Sequence, residues 1–387
     1  MTMTSDTTTT AADVLHAVES LAPTIAERAA EIEAARRVPA DLLDDLKSAG
    51  AFRLLLPASH GGIEADVPAA LAVFEALARA DASVCWSVMI GGSAWRDLVG
   101  LPRSTFDELF ADGPDVVIAG VINPAGSIEA VDGGYLVNGR WSFASGCEYA
   151  SWIFGDCVEG VVDGVPQLRI ALFSPDQVII EDTWHVSGLC GTGSHHFRAD
   201  GVVVAPERTL LVLEESPCLD ATIVRIPPPA LYSTCVASMA LGVAKGALDD
   251  IVGLATHKVP FLTSAPLATN PMFQADLATA DAELRAARAL IYETAAALWA
   301  AAVEGTEPSL EERARARAGA VWATATAARV ADTAYHSGGG SSLYASCPLQ
   351  RRLRDLHAVT QHFLVRRDTM TTAGAILAGN EVEVLVF

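Results

Sequence analysis

Lysine is almost missing from this chain. Of 26 basic side chains in 387 residues, only Lys47, Lys245 and Lys258 are lysine; the rest are arginine. Against 47 acidic residues they leave a formal net charge of -21. A chain this acidic repels phosphate backbones and anionic bilayers, which argues against nucleic acid or a membrane surface as partner. The cysteines are seven, an odd number, scattered from Cys85 to Cys347 with no C-x-x-C pair. That argues against a disulfide framework and a structural zinc site, and no metal is expected. Long apolar runs are lacking too. The most apolar stretches, such as residues 289–303, are interrupted by Glu or Arg and are shorter than a bilayer requires. The start of the chain has neither a basic nor an apolar signal region, so residues 1–10 read as a short disordered lead and the protein as cytoplasmic. The glycine-rich runs at 188–194 and 338–340 lack the G-x-G-x-x-G form between a strand and a helix. Without a nicotinamide site, electrons for any redox chemistry must come from elsewhere.

What is present divides into three regions. Over residues 11–115, Val14, Val18, Leu21, Ile25 and Ile32 recur at the spacing of one helical face, and further helices are predicted at 42–49, 68–79 and 84–98. Residues 116–226 change character. Short apolar runs at 117–122, 128–131, 135–137, 152–158, 168–173, 178–180 and 202–204 predict strands, with Gly133-Gly134 as a hairpin turn. These short strands and close turns predict a compact antiparallel β domain. Residues 227–387 carry four long Ala-rich segments, 230–257, 271–303, 309–336 and 349–377, which read as a four-helix bundle. Ser309-Leu-Glu-Glu312 has the form of a capping box. The expected class is a mainly α, multidomain α+β protein: N-terminal helical domain, central antiparallel β domain, C-terminal four-helix bundle.

Four stretches carry a resemblance that spans the chain. They are Leu56-Pro-Ala-Ser-His-Gly-Gly62 with Leu77-Ala-Arg-Ala-Asp-Ala-Ser83; Trp141-Ser-Phe-Ala-Ser-Gly146; Gly188-Leu-Cys-Gly-Thr-Gly-Ser194; and Gly338-Gly-Gly-Ser-Ser-Leu-Tyr344 running into Leu349-Gln-Arg-Arg-Leu-Arg-Asp-Leu-His357 and Gln361-His362. In this order they resemble the acyl-CoA dehydrogenase superfamily. The last stretch resembles its two-component flavin monooxygenases, which include p-hydroxyphenylacetate and steroid-phenol hydroxylases, dibenzothiophene monooxygenases and nitrososynthases. That resemblance implies an oxygenase component that takes reduced FMN or FAD from a separate NAD(P)H:flavin reductase. With O2 it would act through a C4a-hydroperoxyflavin on a small aromatic or polycyclic substrate. It also implies a homotetramer. Many dehydrogenases of the superfamily place a catalytic Glu shortly after an Arg-Asp pair. Here Arg354-Asp355 is followed by no carboxylate before Asp368, and Phe363 stands where the base would align. A phenyl ring cannot take a proton.

The candidate site residues come from the residues and the resemblance together. Strand alternation would put Trp141, Phe143 and Ser145 on one face. The resemblance implies that Ser145 bonds the flavin near N5, beside Phe143 and Ala144, and that Thr192, Gly193 and Ser194 touch it with Trp184 near the ring. On spacing alone, residues 191–194 are an ordinary turn. His357 and His362 are expected on one helix but off a common face, with Arg354, Asp355, Ala358 and His362 closer to one stripe. His362 is the strongest catalytic candidate, since the resemblance sets it beside flavin and substrate; Arg354-Asp355 reads as a structural ion pair. His195 and His196 would point to opposite faces of a strand, a poor metal pair. Lys258 stands where the family often carries a flavin-phosphate Arg, and Gly339 joins the same group by resemblance. Trp86, Ser93 and Trp95 are candidates for the substrate pocket. Ser93 aligns where phenol hydroxylases of this type carry a second His, so the phenol base is absent there. Two other functions share the fold: N-oxygenation of an amine or amino sugar, and thioester dehydrogenation with a displaced base. A flavin-free binding protein is a third alternative.

Overall fold

The computed structural model describes residues 9–212 and 216–382. Residues 1–8 of the expected N-terminal lead lie outside them. The N-terminal region is helical, with α1 (Ala11–Glu27), α2 (Ala29–Ala35), α3 (Ala40–Ser48), α4 (Val67–Ala80), α5 (Ala82–Gly91) and the short α6 (Arg103–Glu108). The apolar face read in the sequence is buried: Val14, Val18, Ile25 and Ile32 are shielded from solvent. The long run expected at 84–98 ends at Gly91, and residues 94–98 continue as a tighter 3-10 turn.

Seven strands follow: β1 (Ile118–Val131), β2 (Gly134–Ala144), β3 (Trp152–Val162), β4 (Val165–Phe173), β5 (Ile179–Glu181), β6 (His195–Val204) and β7 (Thr209–Leu211). They form one sheet in the order β5-β6-β2-β1-β3-β4-β7. The hairpin at Gly133 is present, with Val131 opposite Gly134 and Gly133 at φ +85°. At that φ a side chain is strained and glycine is not. One pairing departs from the antiparallel expectation: β1 and β3 run parallel, with Ile118 opposite Trp152. Parallel neighbours need a crossover, and β2 supplies it by pairing with the other edge of β1. One face of the sheet builds a small core around Trp141, which stacks on Phe197 at 4.8 Å. The other face, through Phe154, Ile170 and Leu172, joins the core of the helices.

The C-terminal region contains α7 (Pro228–Ala255), α8 (Pro271–Glu304), α9 (Leu310–Gly338), α10 (Pro348–Val359) and α11 (Thr369–Leu377). The capping box at Ser309 forms, with Ser309 Oγ accepting from the Glu312 amide at 3.2 Å. The fourth expected helix is broken. Between α10 and α11 the chain turns, which allows Leu364 and Val365 to be buried. A straight helix could not bury both of this pair with Leu356, because residue 365 lies nine positions past 356, on the opposite side of the helix. Turn bonds such as His362 N–H to Val359 O (3.0 Å) and Val365 N–H to His362 O (3.0 Å) satisfy the freed backbone. The stretch 289–303, read from sequence as too short for a bilayer, lies within α8, which alone among the described residues is long and apolar enough to cross one by length and composition; 28% of its apolar window is covered within this chain.

Candidate active site

The site is organised by an irregularity at the end of β2. Phe143 takes φ +71° and the β2–β6 register slips between Trp141 and Ala144. The expected alternation is therefore broken, and the three residues do not share a face. Trp141 is fully buried in the β core, Phe143 is 67% exposed, and Ser145 is buried. The slip aims Phe143 outward, where its ring meets Trp184 edge-on at 6.0 Å. Ser145 is turned inward.

Ser145 Oγ accepts a hydrogen bond from Trp86 Nε1 at 3.0 Å and lies 2.7 Å from Ser194 Oγ. Ser194 Oγ lies 2.7 Å from Thr192 Oγ1, which donates to the Leu189 carbonyl at 2.9 Å. The turn that supplies Thr192 and Ser194 also accepts the Gly146 amide at the Thr192 carbonyl, 3.0 Å. The expected group Ser145, Thr192, Gly193 and Ser194 is thus one continuous network.

Trp86 is also the floor under His362. The two rings meet edge to face at 5.0 Å, and Phe363 lies against the His362 ring at 4.7 Å. His362 is not on a helix with His357. It sits in the turn after α10, while His357 stays on α10 and bonds Asp332 at 3.0 Å. The stripe expected for Arg354, Asp355, Ala358 and His362 therefore does not exist. Desolvation between the aromatic rings pushes the His362 pKa down to about 4. The Leu364 amide points at Nδ1 (3.4 Å), which leaves the proton of the neutral ring on Nε2.

Buried acids hold the framework. Asp355 accepts the Leu189 amide at 2.7 Å, and Ser83 Oγ accepts the Gly191 amide at 3.1 Å. The loop carrying Thr192 is thus tied to α10 and to α5. The Arg354–Asp355 ion pair expected from sequence does not form; Arg354 reaches out to Glu33 (2.6 Å) and the Ser187 carbonyl. Burial and then neighbouring Asp81 push Asp355 up to about 7. A Cβ at Gly188 would fall 2.2 Å from the Arg354 carbonyl oxygen. Gly188→Ala is expected to destabilise the fold by about 2 kcal/mol, because backbone cannot move aside as a side chain can. Urea unfolding of the variant measures this, and an unchanged midpoint would mean the loop tolerates displacement.

The remaining candidates divide. Lys258 and Gly339 come together: Lys258 donates to the Gly338 carbonyl and to Ser341 Oγ (3.0 Å). An ammonium has three N–H groups, so one remains for an anion. His195 is buried on β6 and its Nδ1 accepts the Thr183 and Trp184 amides at 3.2 Å each; His196 is half-buried. Ser93 spends its hydroxyl on the Met89 carbonyl, and Trp95 packs on Phe106 at 6.2 Å. Beside Ser93 lies a polar group that sequence reasoning did not find. Tyr232 donates to the Ser93 carbonyl (3.1 Å) and to Asp97 (3.2 Å), and burial raises Asp97 to about 6.

The arrangement suits a flat, partly polar ring. Phe143 and Trp184 form an apolar wall left open to solvent, next to a buried hydroxyl network and a neutral imidazole. A planar heteroaromatic cofactor needs such a wall and polar groups at its edge. The two carboxylates that follow Arg354 are engaged elsewhere: Asp355 accepts the Leu189 amide, and Asp368 pairs with Arg366 at 2.6 Å.

Comparison with known proteins shows the family. Residues 12–98 match the family model "Acyl-CoA dehydrogenase, N-terminal domain" and residues 234–367 match "Acyl-CoA dehydrogenase, C-terminal domain". The indole-3-acetate monooxygenase of Pseudomonas putida is 33% identical over 94% of this chain and 94% of its own. The oxygenase subunit HsaA, a flavin-dependent monooxygenase of Rhodococcus jostii, is 33% identical over 89% of this chain and 92% of its own. The crystal structure of 3-HSA hydroxylase from Rhodococcus sp. RHA1 superposes with a TM-score of 0.88 at 29% identity, covering 97% of this chain and 99% of that one. The chain belongs to the acyl-CoA dehydrogenase family, in its branch of flavin-dependent monooxygenases, as an oxygenase component that works with reduced flavin.

Proposed function

We propose that this oxygenase hydroxylates a small aromatic or polycyclic compound, with Ser145 and His362 as the groups facing the flavin. The observation that carries this is Trp86, which holds the Ser145 hydroxyl on its nitrogen and the His362 ring on its face. When bound, reduced flavin activates O2 and supplies the oxygen atom that is transferred. The chain's own residues then have separate tasks. Ser145, with Ala144 and the turn of Thr192, Gly193 and Ser194, holds the flavin edge. Phe143 and Trp184 cover the ring, and Lys258 beside Gly339 takes its phosphate. His362 offers a neutral Nε2–H to the oxygen side. The buried Trp86 keeps water away from the transfer, which limits wasteful loss of activated oxygen. Trp86 further borders the aromatic substrate.

The names of HsaA, an "oxygenase subunit", and of the relatives support delivery of reduced flavin by a separate NAD(P)H:flavin reductase. The aromatic lining supports an aromatic substrate, as the name indole-3-acetate monooxygenase does. The poorly covered apolar stretch of α8 supports a homotetramer, and free cysteines throughout the described residues suit the cytoplasm. The test is incubation with reduced FMN or FAD, 18O2 and either indole-3-acetate or simple phenols. A product carrying one labelled oxygen supports the reading. No labelled product, together with reduction of bound oxidised FAD by an acyl thioester, would overturn it in favour of dehydrogenation.

A further inference from the structure

The shortest bond to the Leu189 carbonyl, from Thr192 Oγ1 at 2.9 Å against 3.1 Å from Trp184 Nε1 and 3.2 Å from the Thr192 amide, gives the hydroxyl chain behind Ser145 a direction. At one end stands Trp86 Nε1, which can only donate. At the other stands the Leu189 carbonyl, which can only accept, and Thr192 spends its proton there. Thr192 Oγ1 must then accept from Ser194, so Ser194 has no proton left for Ser145. Ser145 must therefore donate to Ser194 across their 2.7 Å contact. Its proton is committed, and one of its two lone pairs is taken by Trp86. A hydroxyl carries one donor and two acceptor sites, so a single acceptor site remains.

From this we infer that Thr192 and Ser194 act as redox-state selectors, forcing Ser145 to present an acceptor that binds the N–H of reduced flavin and opposes the bare nitrogen of oxidised flavin. The inference rests on the reading that Ser145 faces the flavin at N5. In the reduced ring that nitrogen carries a hydrogen; in the oxidised ring it carries a lone pair. A fixed acceptor bonds the first and repels the second. The chain so built lets a protein fed by a separate reductase hold the incoming reduced form and release the spent one. The Thr192 and Ser194 hydroxyls would be positioning groups, since they act through Ser145, while the backbone of their turn borders the flavin edge. All three hydroxyls are buried, so bulk water does not reset their direction.

Removing Ser194's hydroxyl frees the Ser145 proton. Ser194→Ala is expected to lower the ratio of oxidised to reduced Kd by about 10-fold, the worth of one hydrogen bond gained or lost. For a two-electron couple this moves the midpoint potential of bound flavin down by about 30 mV. The measurement is titration of the full chain with oxidised FMN and FAD in air and with their dithionite-reduced forms under anaerobic conditions. Ser194→Thr, which keeps a hydroxyl, should restore the ratio, whereas a merely structural role would not distinguish redox states. Thr192→Val is the second variant if Ser194→Ala fails to fold. It lets Ser194 donate to Ser145 and should shift the ratio in the same direction. Ser145→Ala separates the two levels. If it changes neither Kd, Ser145 does not face the flavin and the site reading fails. If it weakens reduced-flavin binding but neither Ser194→Ala nor Thr192→Val changes the ratio, the site reading stands and the selector is refuted.

Discussion

Replacing His362 by alanine is expected to lower the yield of oxygenated product per O2 consumed by about 100-fold, the scale of losing one preorganised donor. The geometry gives the reason. The ring is pressed between Trp86 and Phe363, its Nδ1 receives the Leu364 amide, and its Nε2–H is the free donor. Desolvation lowers the pKa to about 4, so the ring is neutral near neutral pH. Alanine leaves the hydroxyl network around Ser145 in place, so reduced flavin should still bind. His362→Gln keeps an N–H and should recover part of the yield. Yield is read by product chromatography against oxygen uptake. An unchanged yield in His362→Ala would transfer the donor role to another group.

The same ring carries a stability signature. Its folded pKa lies below the unfolded value of about 6.5, so the unfolded chain takes the proton first. The contribution is complete above about pH 6.5 and is lost as pH falls towards 4, a difference of about 3 kcal/mol. His362→Ala should therefore flatten this part of the acid limb in urea unfolding at pH 5 and 7.

At pH 8, Asp156→Asn is expected to stabilise the protein by as much as about 4 kcal/mol. Asp156 alternates with Phe154 on β3 and faces the helices at 3% exposure, and its Oδ1 has no hydrogen-bond partner. Burial, then the charge of Asp97, pushes its pKa up to about 7. For a carboxyl with a raised folded pKa, stability is fully present below the unfolded pKa, near 4. It is lost as pH rises through 7. The gain from asparagine should thus shrink by more than half at pH 5, where the native carboxyl already holds its proton. Equal gains at pH 5 and pH 8 would mean that the carboxylate charge is not what the variant relieves.

Much of this molecule was legible from local pattern. The face of Val14, Val18 and Ile25, the turn at Gly133 and the capping box at Ser309 depend on residues a few positions apart, and each appears as read. The motif order pointed to Ser145, Thr192, Ser194 and His362 together, and these residues do converge. The alternation rule failed at Phe143, because the register slip between Trp141 and Ala144 comes from pairing with β6. The last helix broke because burying Leu364 and Val365 outweighed helical continuity, a gain that exists only once α7 and α9 stand beside it. Asp355 looked like the partner of its neighbour Arg354, yet the folded chain brings it the Leu189 amide.

Residue types, together with the resemblance carried by the four motif stretches, therefore singled out the candidate site side chains; spacing alone did not. Tertiary structure alone decided that Trp86 would touch both Ser145 and His362, and that the hydroxyls behind Ser145 would run in one direction. Helix and strand periods repeat over two to four residues. Contacts such as Trp86–Ser145, 59 residues apart, depend on how whole elements pack, and no local period carries that distance.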